Sequence, residues 1–240
     1  MKICKQIKNK IQYFYLGSNV YLYEKITIRY AKHKNLFVGK EKDIAIEGYP
    51  RSGNTFAVAA FIYAQNKAEK NIKIARHRHE IAQVLLAVKY GIPTLVLIRE
   101  PLEAISSFII REQVSPEFAL KYYIYYYQHL MPVRKNIVIG EFKKVITIFG
   151  EIIKMVNEKY GKKFAIFEHT PEAMEEVRKI IEKMELEDYG GKEIRITHVA
   201  FPTEERKKMK QKVKNYIRNN RRLIKLLNQA QKVYKEFLKT

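Results

Sequence analysis

The stretch that most constrains this chain is Ile44-Ala45-Ile46-Glu47-Gly48-Tyr49-Pro50-Arg51-Ser52-Gly53-Asn54-Thr55-Phe56. Ile44 and Ile46 begin an apolar strand signal, Gly48 and Pro50 break it, and the alanine-rich residues 56–64 read as a helix. A strand, tight loop and helix in that order aim backbone N–H groups and the positive end of a helix dipole at one point. That arrangement suits a phosphate or a similar oxyanion. Arg51, Ser52, Asn54 and Thr55 add side-chain donors there. A nucleotide-triphosphate loop would end in Gly-Lys-Ser/Thr, whereas this loop has Gly53-Asn54-Thr55, with its only strong cation, Arg51, placed before the glycine. The difference argues against an ordinary ATPase.

Two later stretches repeat the pattern of strand followed by polar turn. Residues 71–79 alternate as a strand should and lead into a helix carrying Ile81, Val84, Leu85 and Val88. With period two, His77 and His79 point to the same side if strand geometry persists. An imidazole titrates near neutral pH, so either can serve as a general base, with Glu80 a more distant candidate. After Gly91-Ile92-Pro93, the apolar run Thr94-Leu95-Val96-Leu97-Ile98 has the character of a buried parallel strand. It ends at Arg99, where open α/β sheets bind their ligands, and Pro101 is placed to open a helix. Residues 136–142 form another strand signal, and the helix after it stops at Gly161. The tyrosine-rich helix around residues 118–127 reads as core packing, with an acceptor-lining wall as the alternative. The expected fold is α/β: a single P-loop-like domain over residues 1–240 with a central, mainly parallel β-sheet flanked by helices. Residues 1–40 form a basic N-terminal extension, and residues 203–240 a basic C-terminal helix capped by Thr203.

Tyr49-Pro50-Arg51-Ser52-Gly53-Asn54-Thr55-Phe56 resembles the Tyr-Pro-Lys-Ser-Gly-Thr-Thr-Trp loop of the sulfotransferases that use 3′-phosphoadenosine 5′-phosphosulfate (PAPS). Arg stands for Lys, Asn for the first Thr and Phe for Trp. Arg99-Glu100-Pro101, with Ser107 eight residues after the arginine, resembles the second signature of that family, Glu100 replacing Asp or Asn. The resemblance spans residues 44–161. It implies transfer of a sulfuryl group from PAPS to a hydroxyl or amine acceptor, with the bisphosphate PAP as product and no metal required. It further implies that Ser52, Gly53, Asn54 and Thr55 hold the 5′-phosphosulfate, and that Arg51 meets charge on the bridging oxygen. Either His77 or His79 would deprotonate the acceptor, and Arg99 and Ser107 would fix the 3′-phosphate. Phe56 would stack on adenine or pack into the core. The family's late segment over the 3′-phosphate has no recognisable counterpart here, which leaves Lys192 and Arg206 open for that place.

Lys and Arg number 46 against 25 Asp and Glu, a formal charge of +21. Such an excess favours an anionic partner: a nucleotide donor, an acidic or membrane-associated glycan, nucleic acid or an anionic membrane face. Two other function classes share part of these features. A P-loop kinase would carry the missing lysine and use magnesium, and a nucleic-acid-binding module would explain the charge but not the pairing of Arg99 with Ser107. No nucleic-acid motif is present, so no nucleic acid partner is expected. The single cysteine, Cys4, cannot form an internal disulfide, so a reducing cytoplasm is the expected compartment. No apolar run reaches the length of a transmembrane segment, while residues 11–23 leave peripheral membrane contact open.

Overall fold

The computed structural model describes residues 11–31, 34–188 and 203–239. Its strands are β1 (Ile44–Gly48), β2 (Ile74–Arg76), β3 (Thr94–Ile98) and β4 (Val138–Glu141). They pair in the order β2-β1-β3-β4, every pairing parallel, with Ile46 opposite both Arg76 and Leu95 and with Ile98 opposite Glu141. The chain leaves β1 toward one edge and returns through β3 toward the other. The carboxyl ends of β1 and β3 therefore flank a topological switch point, the crevice where parallel α/β sheets take their ligands.

Helices cover both faces, which is why β1 and β3 read as continuous apolar runs. They are α1 (Asn54–Lys67), α2 (Ile81–Lys89), α3 (Pro101–Glu112), α4 (Pro116–Leu130), α5 (Phe142–Tyr160), α6 (Pro171–Asp188), α7 (Glu204–Asn219) and α8 (Arg221–Leu238). Because side chains alternate along a strand, Leu95 and Leu97 join Ile44, Ile46 and Val138 on the face packed by α1, α5 and α6. Val96 and Ile98 face the other way, into the aromatic core built by α2, α3, α4 and α8. A third cluster around Tyr23, Phe37 and Leu86 seats the N-terminal segment on α2.

The boundaries follow local chemistry. Pro101 and Pro116 stand in the first turns of α3 and α4, and the Glu100 and Ser115 side chains accept from the N–H groups of Glu103 and Phe118. Gly161 ends α5 in the left-handed region, and Thr203 caps α7 by accepting from Arg206 N. Two expectations need correction. The strand expected over residues 71–79 is confined to Ile74–Arg76, because His77 (φ 58°) and His79 (φ 61°) take left-handed conformations that no strand contains. Residues 203–240 do not form one helix: Asn220 is extended, and its side chain accepts from Arg222 N and Leu223 N, which ends α7 and starts α8. Among the described residues no helix is long and apolar enough to cross a membrane.

Candidate active site

The loop after β1 is tight because β3 lies hard against it. A Cβ on Gly48 would stand 2.4 Å from the Leu97 carbonyl oxygen, so only glycine fits. Gly53 is the N-cap of α1 with φ 95°, and among the described residues no side chain caps this helix. The N–H groups of the first turn therefore keep their capacity to bind an anion.

Tyrosines of α4 pin this loop and its neighbours from below. Tyr127 Oη donates to the Leu97 carbonyl at 2.8 Å; with its one proton committed there, it accepts from Tyr49 N and from Ser52 Oγ, each at 3.4 Å. Tyr123 Oη donates to the Arg99 carbonyl at 2.7 Å, and Tyr122 Oη donates to the His79 carbonyl. Tyr49 returns the favour by donating to Ala119 O at 3.0 Å. The aromatic helix is thus core, as its composition indicates, and its hydroxyls also fix the backbone at each of three strand ends.

Above this floor the two sequence signatures meet. Arg51 Nε donates to Ser107 Oγ at 3.1 Å, and Arg99 Nη1 donates to the Arg51 carbonyl at 3.2 Å. The Arg99 guanidinium stacks on the Phe142 ring at 3.9 Å and pairs with Glu103 at 3.6 Å. Ser107 Oγ also accepts from Arg206 Nη2 at 3.3 Å. Arg206 on α7, one of the two late residues the sequence left open, is brought here; the other, Lys192, lies outside the described residues. Arg111, one helical turn beyond Ser107 on α3, adds a fourth guanidinium to the same field. Burial, reinforced by the positive charges of Arg111, Arg206 and Arg99 and opposed by Glu185, pushes Arg51 down to about 9. Arg206 and Arg99 are lowered for the same first reason, loss of solvent. A cluster of like charges on a rigid floor is stabilised by a bound anion, which removes their mutual repulsion. Sequence reasoning missed Arg111, although its spacing of four from Ser107 on a helix was a usable signal.

The two histidines are close, with ring centroids 6.2 Å apart, but differently employed. His77 Nδ1 lies 3.0 Å from Arg76 Nη1. A guanidinium can only donate, so Nδ1 accepts and the ring proton of the neutral imidazole sits on Nε2. His79 Nδ1 lies 2.9 Å from the Gly48 carbonyl, which can only accept; Nδ1 therefore carries the proton, and Nε2 keeps its lone pair. Burial pushes His79 down to about 4, with Arg111, Arg78 and Arg51 adding to the effect and the Gly48 bond opposing it. Burial likewise holds His77 well below the ordinary imidazole value. Both rings are neutral at pH 7, and only His79 presents a free acceptor nitrogen.

His79 is positioned by Glu47, a fully buried acid at the end of β1. Its carboxylate accepts from Arg78 N at 2.9 Å and His79 N at 3.0 Å, and lies 3.7 Å from His79 Nδ1. The sequence reading passed over Glu47, although an acid inside an apolar strand was its visible signal. Phe56 is drawn to the opposite face of the sheet, edge-on to Phe149 at 6.4 Å and to Phe167 at 6.3 Å, with the His169 ring nearly parallel at 6.2 Å.

No protein-family model matches the chain, and no curated protein matches it in sequence. Among solved structures, it is similar to mouse sulfotransferase SULT7A1 complexed with PAP, at 11% identity and a TM-score of 0.41, over 83% of this chain and 92% of that one.

Proposed function

We propose that this chain is a sulfotransferase that moves the sulfuryl group of PAPS to a hydroxyl or amine acceptor. The observation that carries the reading is the meeting of the two signatures at the switch point: Arg51 on Ser107, Arg99 on the Arg51 carbonyl, and Arg206 closing on the same serine. An adenosine donor bearing both a 5′-phosphosulfate and a 3′-phosphate needs two anion sites a short distance apart. The uncapped start of α1 supplies the first, and the group formed by Arg99, Ser107, Arg111 and Arg206 the second.

In this scheme Ser52, Gly53, Asn54 and Thr55 orient the 5′-phosphosulfate. His79 Nε2 takes the acceptor proton as the new S–O bond (S–N for an amine) forms, and the bond from sulfur to the bridging oxygen breaks with its electron pair passing to PAP. Arg51, still protonated at pH 7, meets the charge that collects on that oxygen. Chemistry of this kind asks for alignment and charge stabilisation more than covalent work from the protein. His77, its lone pair engaged by Arg76, takes no part in proton transfer.

The test is calorimetric titration with adenosine 3′,5′-bisphosphate, ATP and ADP, each with and without magnesium, on the wild type and on Arg99→Ala. Micromolar, magnesium-independent binding of the bisphosphate is expected. Arg99→Ala should weaken it about 10- to 100-fold, the worth of one charge-assisted hydrogen bond. Preference for ATP with magnesium, or no nucleotide binding, would overturn the proposal.

A further inference from the structure

The N-terminal segment presents apolar side chains both inward and outward. Tyr23 and Phe37, with Val20, Ile28 and Ala31, turn inward onto α2. Outward, Tyr21 is 67% exposed, Ile26 45% and Tyr30 75%. Lys25 and Arg29 lie exposed among them, and the Arg29 guanidinium sits 5.9 Å from the Tyr30 ring. The spacing from Tyr21 to Lys25 and Ile26, and on to Arg29 and Tyr30, is four to five residues. Residues Tyr23–Ile28 form a wide π-helical turn, so this spacing places the set on one face. The single acid on the segment, Glu24, is engaged by Tyr90 Oη at 2.6 Å.

Aromatic rings and one branched aliphatic flanked by cations form the pattern that settles at the headgroup level of a bilayer, where rings take the interface and cations meet anionic lipid. We propose that this face, formed by Tyr21, Lys25, Ile26, Arg29 and Tyr30, docks the protein on an anionic bilayer surface. Charge complementarity selects that occupant over a neutral protein partner, and the exposed rings select it over a soluble polyanion. The face is tied firmly to the rest of the protein. Gln12 Nε2 and Tyr23 Oη both donate to Glu80, each at 3.0 Å, and the Gly17 carbonyl accepts from Ala82 N at 2.7 Å. Docking would therefore hold the turn that carries His79 at a fixed height above the lipid. The proposal stands independently of sulfuryl transfer.

The test is co-sedimentation of the full chain with phosphatidylcholine vesicles, with and without phosphatidylserine. Binding is expected to phosphatidylserine vesicles and to fall with added salt. Lys25→Gln/Arg29→Gln should lower the partition coefficient roughly 25-fold, at about fivefold per cation. Tyr21→Ser/Tyr30→Ser should lower it severalfold through lost apolar burial. All four side chains are exposed, so unchanged melting temperatures should show that the variants fold. Absence of binding to phosphatidylserine vesicles would overturn the proposal. Equal binding by the tyrosine variant would also overturn it, by making the face a general polyanion surface, and so would equal binding by the charge variant.

Discussion

Replacing Glu47 by glutamine should change stability in a way that depends on pH, and the direction follows from its surroundings. Burial raises the carboxyl, the backbone N–H groups of Arg78 and His79 oppose that, and Glu80 nearby raises it further, leaving it at about 7 against an ordinary 4.5. Between those values the folded protein holds a proton that the unfolded chain has lost. Glu47's contribution to stability should therefore fall as pH rises through this window and level off above it, the reverse of a salt-bridged carboxylate. At roughly 1.4 kcal/mol per pH unit the whole window is worth about 3 kcal/mol. Glutamine carries no charge at any pH and imitates the protonated acid. Its NH₂ group, however, cannot accept from Arg78 N or His79 N, a loss of about 1–3 kcal/mol that does not vary with pH. Urea unfolding at pH 5 should therefore find Glu47→Gln the less stable protein. By pH 8 the gap should have closed or reversed, moving by roughly 2–3 kcal/mol in the variant's favour. A gap that stays constant between the two pH values would refute the reasoning, because Glu47 would then be ionised in the fold at both.

Three further changes test the site. His79→Gln should reduce turnover with a hydroxyl acceptor by about 100-fold or more while leaving bisphosphate affinity intact, whereas His77→Gln should stay within about tenfold of wild type; steady-state rates and calorimetry on both variants distinguish the assignments. Gly53→Ala places a Cβ at φ 95° and 3.0 Å from the Phe142 ring, which should cost about 1–3 kcal/mol in chemical unfolding and weaken bisphosphate binding as the start of α1 shifts.

Much of the architecture was legible because it is written in local rules. The apolar runs at Ile44–Gly48 and Thr94–Ile98 are strands buried on both faces, and each is followed at once by its turn and helix. Gly161 and Thr203 mark helix ends through conformations and hydrogen bonds that involve only their neighbours. Alternation failed at residues 77–79 because a buried carboxylate thirty residues earlier, Glu47, captures two successive N–H groups and bends the chain out of strand geometry. Nothing in the local pattern of that segment carries this information. The break at Asn220 is a local signal, a side chain that prefers capping to helix interior, hidden inside a basic run.

The sequence by itself located the strands of the parallel sheet, though not where β2 ends, and the loops that stand at its carboxyl edge, since hydrophobic period and turn chemistry act over a few residues. It also brought Arg51, Arg99 and Ser107 forward as a set. Tertiary structure decided the rest. It brought Arg206 to join them, added Arg111 to their field, and distinguished two otherwise equivalent histidines by giving one a donor neighbour and the other a carbonyl. Those choices depend on groups distant in sequence meeting where solvent is excluded. There a single hydrogen-bond partner fixes a tautomer, and neighbouring charges act at full strength.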